Sequence, residues 1–365
     1  MTASLQTQTE ESAGSPRATS AQYPRATPTL PLNPVHISIK PSHLEALQAL
    51  GYTEVEACFL YLVATHSGYF AARQFLGFTG AHWGKRTTTF WNKLHSRKHA
   101  RTECFPKGGV VYHLFSRRLY RQIEKENLRN RREHEFDFIK RRIAILDFVL
   151  LNQGYQYLET EPEKLHFFCR TMNIERQFLP ANLYLGRKTR VPTVRYFVDK
   201  FPMFLISPSP VVTFTYIHEG APGFTDFIRH LERYLPLFRL LSEFRMVYAS
   251  RSAAQFEKAT EIFHSFVKTP LESDIADDLL RYFQVRKAWE EKQYAAVSEG
   301  DLIFRNKVRS RFSGNRFEGL YRGWKNGHIS ESGIRHEVGT NDRKHMVGFD
   351  TFLLRRLGAL EGRFR

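Results

Sequence analysis

The sequence predicts an α+β protein, mostly helical, in which a compact N-terminal helical unit precedes a small α/β sheet and a C-terminal helical region. Three observations carry this reading. Helix-period apolar segments with capping residues dominate from Pro41 onward. A short pair of β-like runs flanks "PKGG" at 106–109. A strand–strand–helix–strand–helix succession occupies roughly 190–266.

Residues 1–40 are rich in Ser, Thr, Ala, Gln and Pro, and are expected to form a disordered tail. "SHLEALQALG" reads as a helix stopped by Gly51. Thr53 followed by Glu56 is a capping-box signature opening "EVEACFLYLVATHSG", an apolar helix ending at Gly68. "YFAARQFLGFTG" predicts a short helix and turn. "HWGKRTTTFWNKLHSRKHA" predicts a further helix with Phe90, Trp91 and Leu94 on its core side. "RTECF" and "VVYHLF" predict a hairpin with its tip at Lys107-Gly108-Gly109. Ser116 then caps "RRLYRQIEKENLRNRR", expected to be a solvated charged segment.

Helices, a tight turn, a basic helix and a hairpin follow the order of a winged helix-turn-helix, assigned here to residues 41–132. In that arrangement the basic helix enters the major groove and the hairpin lies along the adjacent backbone. Charge placement agrees with this order. The chain carries a net +17, and between Lys85 and Arg132 fourteen Lys/Arg stand against three Glu, so this window alone holds +11. Lys85, Arg86, Thr87, Thr88, Thr89, Asn92 and Lys93 are the candidate groove-facing residues. Arg97, Lys98, Arg101 and Lys107 are the candidate phosphate contacts at the helix end and wing.

Residues 133–269 predict an α/β domain. "EFDFIKRRIAILDFVLLNQG" is an amphipathic helix. "TVRYFVDKFPMFLI" and "VVTFTYIHEG" are strands, with Pro202 breaking or edging the first. "FTDFIRHLERYLPLFRLLSEF" is a helix, "RMVYASR" a short strand and "SAAQFEKATEIFHSFV" a helix. Residues 270–365 read as a basic helical region.

The segment "YFAARQFLGFTGAHWGKRTTTFWNKLHSRKHARTE…GGVVYHLFS" resembles the winged-helix half of the replication-relaxation family and its relatives on plasmids and integrative elements. The run "VRYFVDKFPMFL…VVTFTYIHEG…FIRHLERYLPLFRLLSEFRMVYAS" is similar to the restriction-endonuclease-like half that follows it in such proteins. The resemblance spans roughly residues 45–266. It implies a double-stranded DNA-binding protein, sequence- or structure-selective, acting in replication, transfer or regulation of a mobile element beside other replication or transfer proteins.

An active endonuclease-like core needs convergent acids and a lysine around a divalent metal. Asp199 and Glu219 are the available acids at expected strand ends. Glu219 is followed by Gly220 and Ala221 rather than by a spaced lysine, and Lys200 is the only neighbouring substitute. The core is therefore expected to be catalytically degraded, with no catalytic residue, metal or cofactor. Two alternatives stay open: a metal-dependent endonuclease or nickase-like factor, and a protein–protein adaptor using the winged helix.

His95, His99, Cys104 and His113 could be imagined as a zinc set, with His95 and His99 on one helix face, but no Cys-x-x-Cys accompanies them. No P-loop, G-x-G-x-x-G or G-x-S-x-G is present. Three scattered cysteines, no secretory leader pattern and no apolar run near membrane-spanning length lead to the expectation of a cytoplasmic protein without a membrane partner.

Overall fold

The computed structural model describes residues 39–105, 109–185, 192–206, 211–220, 223–271, 275–309, 311–312, 315–338 and 345–356. It is an α+β fold, richer in helix than in strand, with three sheets among the described residues.

The chain opens with α1 (Pro41–Ala49) and α2 (Glu54–Leu62). Thr53 and Glu56 form the reciprocal cap expected from their spacing: Glu56 N–H donates to Thr53 Oγ1 at 3.3 Å, and Thr53 N–H donates to Glu56 Oε2 at 2.8 Å. Past Leu62 the helix widens into a π turn, Val63–Ser67, and stops at Gly68 with φ +84°. A Cβ at Gly68 would sit 2.0 Å from the Asn130 carbonyl oxygen, so close backbone approach as well as φ requires glycine.

Next come β1 (Tyr69–Ala71), α3 (Ala72–Thr79), α4 (Lys85–Ser96), β2 (Ala100–Phe105) and β3 (Gly109–Leu114). β3 is the middle strand of an antiparallel sheet. It pairs with β1 in the register Tyr69↔His113 and with β2 from Ala100↔Leu114 to Phe105↔Gly109. The expected tip at Lys107-Gly108 lies outside the described residues, although both strands leading to it are present. β1 replaces the first residues of the helix expected at "YFAARQFLGFTG". Three residues give no period of their own, and pairing with β3 decides their conformation.

α5 (Arg117–Gln122) is capped by Ser116, whose Oγ accepts from Leu119 N–H. The whole run from Arg117 to Arg132 was expected to be solvated; Arg117, Arg118, Arg121, Glu124, Arg129 and Arg132 are exposed, and the structure corrects the expectation at buried positions between them. Leu119, Tyr120, Ile123, Lys125 and Asn130 are all buried, because the chain folds back under the π turn and Asn130 Nδ2 donates to the carbonyls of Ala64 and Thr65.

α6 (Phe136–Leu151) packs on α2, α3 and β1, and also on the second sheet. β4 (Gln156–Tyr157), α7 (Glu161–His166), β5 (Ala181–Leu185), β6 (Pro192–Tyr196), β7 (Met203–Leu205), β8 (Val212–His218), α8 (Thr225–Phe238), β9 (Glu243–Ser250), α9 (Phe256–Phe266), α10 (Ile275–Glu290), α11 (Glu299–Val308), α12 (Asn315–Lys325), α13 (Glu331–Val338) and β10 (Met346–Leu353) complete the order.

The five-stranded sheet runs β10-β9-β8-β7-β4. β8, β9 and β10 are parallel, and β7 and β4 are antiparallel to their neighbours. All seven residues of β8 are buried, as a strand covered on both faces requires. The segment expected as one strand around Pro202 is two: β6 pairs only with β5 in a separate hairpin, and β7 joins the large sheet.

β10 departs from the helical C-terminus that was expected. It returns to the sheet edge beside β9, where Arg245 bonds Asp350 at 2.7 Å. Its half-exposed residues, with Gly348 and Asp350 among them, carry little strand signal.

One hydrophobic core joins residues from Leu47 to Leu354, and includes Phe59, Phe70 and Phe90 as well as Phe148, Phe214 and Tyr248. A second core around Leu280, Phe283, Phe312 and Tyr321 holds α10–α13 together. Many cations of that C-terminal region are paired: Arg286 bonds Glu290 and Glu318 while stacking on Tyr321, and Arg281 bonds Asp301.

Candidate nucleic-acid interface

α4 owes its shape to its amphipathic pattern. Phe90, Trp91 and Leu94 enter the core, where Phe90 stacks on Phe75 with centroids 4.0 Å apart. Trp91 stacks on Tyr112 of β3 at 4.5 Å, which fastens the hairpin to the helix. His95 Nε2 and Thr102 Oγ1, 3.1 Å apart, add a second link to β2.

On the opposite side Lys85, Arg86, Thr88, Thr89 and Asn92 are exposed in a row, continued by Arg97 and Lys98. None of these four cations is ion-paired among the described residues, and Arg97 rests over the Tyr52 ring at 5.3 Å. Thr88 and Thr89 donate their hydroxyls to the carbonyls of Gly84 and Lys85, leaving oxygen lone pairs outward. A face of exposed cations, hydroxyls and one amide, on a helix fastened to a hairpin, can accept phosphates and base edges.

Several expected site residues lie elsewhere. Thr87 is fully buried; its Oγ1 accepts from Gly84 N–H at 2.9 Å and donates to Gly84 O at 2.7 Å, so it caps the helix and cannot reach a ligand. Lys93 is half-buried and bonded to Glu56 at 2.7 Å. Arg101 is held by Glu103 at 3.2 Å and by Glu133, which offsets its charge on β2. Lys107 lies outside the described residues.

The imagined zinc set does not assemble. α4 ends at Ser96, Lys98 takes φ +53°, and His99 turns into the core rather than continuing the His95 face. There it meets the Tyr52 hydroxyl at 2.7 Å, and burial lowers its pKa to about 4. Burial does the same to His113, which stacks on Tyr69 at 4.3 Å. Among the described residues no group of three or more His, Cys, Asp or Glu is placed to hold a metal.

The acids proposed for a nuclease are also committed. Asp199 does not end a strand of the large sheet; it sits in the turn after β6, half-buried, with its side chain turned against α8. Burial pushes its carboxyl up. His230 Nδ1 at 3.2 Å, Lys164 nearby and the Tyr234 hydroxyl at 3.1 Å outweigh that and hold it below the usual range. Glu219, just past β8, is bonded to Arg141. Lys200 turns away to Asn130 Oδ1 at 3.2 Å.

The sequence did not single out a buried junction at Asp147 of α6. Its carboxylate accepts two bonds from Arg73 (2.7 and 2.8 Å), one from Gln74 (2.8 Å) and one from Arg251 (2.8 Å). This ties α3 to α6 and to the end of β9. The Arg73-Gln74 pair following β1 was the available signal, but its partner is 73 residues away.

Comparisons of the chain with protein-family models, curated proteins and solved structures find no match. Among the described residues no helix is long and apolar enough to cross a membrane.

Proposed function

We propose that residues 41–132 act as a winged helix-turn-helix and that the protein binds double-stranded DNA through it. α4 lies in the major groove and the β2–β3 hairpin follows the neighbouring backbone. The observation that carries this reading is the exposed row Lys85, Arg86, Thr88, Thr89 and Asn92 on a helix whose other face is locked into the core by Phe90, Trp91 and Leu94. Arg97 and Lys98 extend the cationic track beyond the helix end. The α/β half serves assembly or regulation and cuts no DNA, because Asp199 and Glu219 are each bound to other side chains. A role in replication, transfer or regulation of a plasmid or integrative element rests on the sequence resemblance alone.

The test is duplex binding by the Lys85→Ala/Arg86→Ala double variant. Both side chains are exposed and form no ion pair among the described residues, so stability should hold while affinity falls and the salt dependence loses about one phosphate contact per cation removed. Unchanged affinity at moderate salt would remove α4 from the groove. Incubation with Mg²⁺ should leave the duplex intact; nicking abolished by Asp199→Ala would restore the endonuclease reading.

A further inference from the structure

A cavity of about 930 Å³ opens where α2 and its π turn, the 123–130 segment, α6 and the 196–203 segment meet. That volume falls in the range of small-molecule sites. Its wall holds cations that the DNA-binding reading does not use.

Arg142 is among the largest fully buried side chains of the protein. Its Nε donates to the Ser67 carbonyl at 2.9 Å and its Nη2 to Asn130 Oδ1, yet its buried Nη1 has no hydrogen-bond partner among the described residues. Lys200 donates to the same Asn130 oxygen, so one neutral carbonyl serves two cations. Lys200 also holds φ +56°, a left-handed backbone that costs a non-glycine residue roughly 1 kcal/mol or more and recurs at functional sites. Lys164, on α7, is buried and forms no ion pair among the described residues; its ammonium lies over the Phe197 ring at 5.6 Å.

The carboxylates lining the cavity are engaged with other groups. Glu159 binds Lys125 and the Tyr61 hydroxyl, Glu161 faces Arg195 at 3.5 Å and Glu163 accepts from the Glu159 N–H. Arg142, Lys164 and Lys200 therefore line one cavity with no salt-bridge partner among the described residues; Lys164 feels the nearby carboxylates of Asp199, Glu163 and Glu161, and Lys200 that of Glu161. Burying charge in this way is costly unless something pairs with it.

We propose that this cavity binds a small phosphorylated ligand, with its phosphate oxygens held by Arg142 Nη1, Lys164 and Lys200. Three cations around one space call for a dianion or more, and Arg142 offers a fixed N–H of the kind that phosphates take. Tyr61, Tyr157 and Tyr184 supply aromatic wall for the rest of a nucleotide-sized molecule. The site lies apart from the exposed α4 face and does not depend on DNA binding.

Electrostatics set a second signature. Burial lowers Lys200 to about 7, helped by Arg142, Lys164 and Arg129 and opposed by Glu161. Burial lowers Lys164 to about 8; Asp199, Glu163 and Glu161 oppose this and Arg142 assists it. An anion restores both charges, so binding takes up protons and weakens as the pH rises through these values.

The experiment is calorimetric titration of the full-length protein with inorganic pyrophosphate and, separately, with ATP, at fixed ionic strength. Saturable binding is expected. It should weaken roughly tenfold or more in Lys200→Met and in Lys164→Met, each verified as folded by circular dichroism. Affinity should fall from about pH 6 to about pH 9. The Lys85→Ala/Arg86→Ala variant should bind both probes like wild type. The proposal is overturned by absence of saturable binding to both probes, by wild-type affinity in both methionine variants, or by loss of binding in Lys85→Ala/Arg86→Ala. It is equally overturned if only a 5′-phosphorylated oligonucleotide binds, which would make the cavity a DNA-end site.

Discussion

Replacing Asp147 by Asn tests whether the helical N-terminal half and the large sheet stand or fall together. The carboxylate is fully buried and accepts four hydrogen bonds, three of them from the guanidinium groups of Arg73 and Arg251. Asparagine keeps the volume, removes the charge, and turns an amide donor toward two cations. Those cations are about a quarter and a third exposed, so water recovers part of the loss. Breaking a buried pair from one side costs about 3–5 kcal/mol, and this partial rehydration places the expected loss near the lower end, about 3 kcal/mol. Against a typical folding stability of about 5–15 kcal/mol, that is a large fraction. The assay is urea unfolding followed by far-ultraviolet circular dichroism and by tryptophan fluorescence, to which Trp91 contributes from the N-terminal core. Both transitions should move to lower urea together, because one core joins the two halves. As a control, Asp226→Asn breaks the exposed Asp226–Arg229 pair and should cost about 0.5 kcal/mol or less. A loss below about 1 kcal/mol in Asp147→Asn, or a fluorescence transition that separates from the circular dichroism, would refute the reasoning.

Two further outcomes follow from the candidate interface. Thr87→Val removes both hydrogen bonds to Gly84 at nearly constant volume; it should lower stability by about 1–2 kcal/mol in urea melts and leave the duplex affinity of the folded protein unchanged, whereas a selective loss of affinity would return Thr87 to the groove. His99 and His113 stay neutral in the fold until about pH 4 but titrate near 6.5 when unfolded, so their contribution is complete above 6.5 and is lost as the pH falls toward 4. Allowing for screening, the pair should account for about 2–4 kcal/mol of that loss, and His113→Phe should flatten the fall in urea midpoint between these pH values; an unaltered profile would count against it.

Local chemistry was legible in the sequence where local rules decide the structure. The Thr53/Glu56 cap, the amphipathic α4 and α6, the β2–β3 hairpin strands and the buried β8 and β9 all follow from spacing and residue type. β1 and β10 were not legible, since a three-residue strand and a half-exposed edge strand take their conformation from β3 and β9. At the candidate site the cation-rich helix could be read from composition, but the choice of partner could not. Lys93 and Arg101 look free in sequence and are bound to Glu56 and Glu133 in space. Thr87 looks like its neighbours Thr88 and Thr89, and only its place on the inner side of α4 turns its hydroxyl into a cap. The cationic cavity was invisible for the same reason: Arg142, Lys164 and Lys200 sit on different elements, and only the tertiary fold brings them to one wall.

The central claim is that the cations displayed by α4 and the residues after it bind duplex DNA through its phosphates. The most direct measurement is the affinity of the full-length protein for a duplex, by fluorescence anisotropy, over a series of salt concentrations. The four exposed cations Lys85, Arg86, Arg97 and Lys98 predict a log–log slope of about −4, steeper if further contacts form. Absence of binding at low salt, or a slope shallower than about −1, would contradict the account.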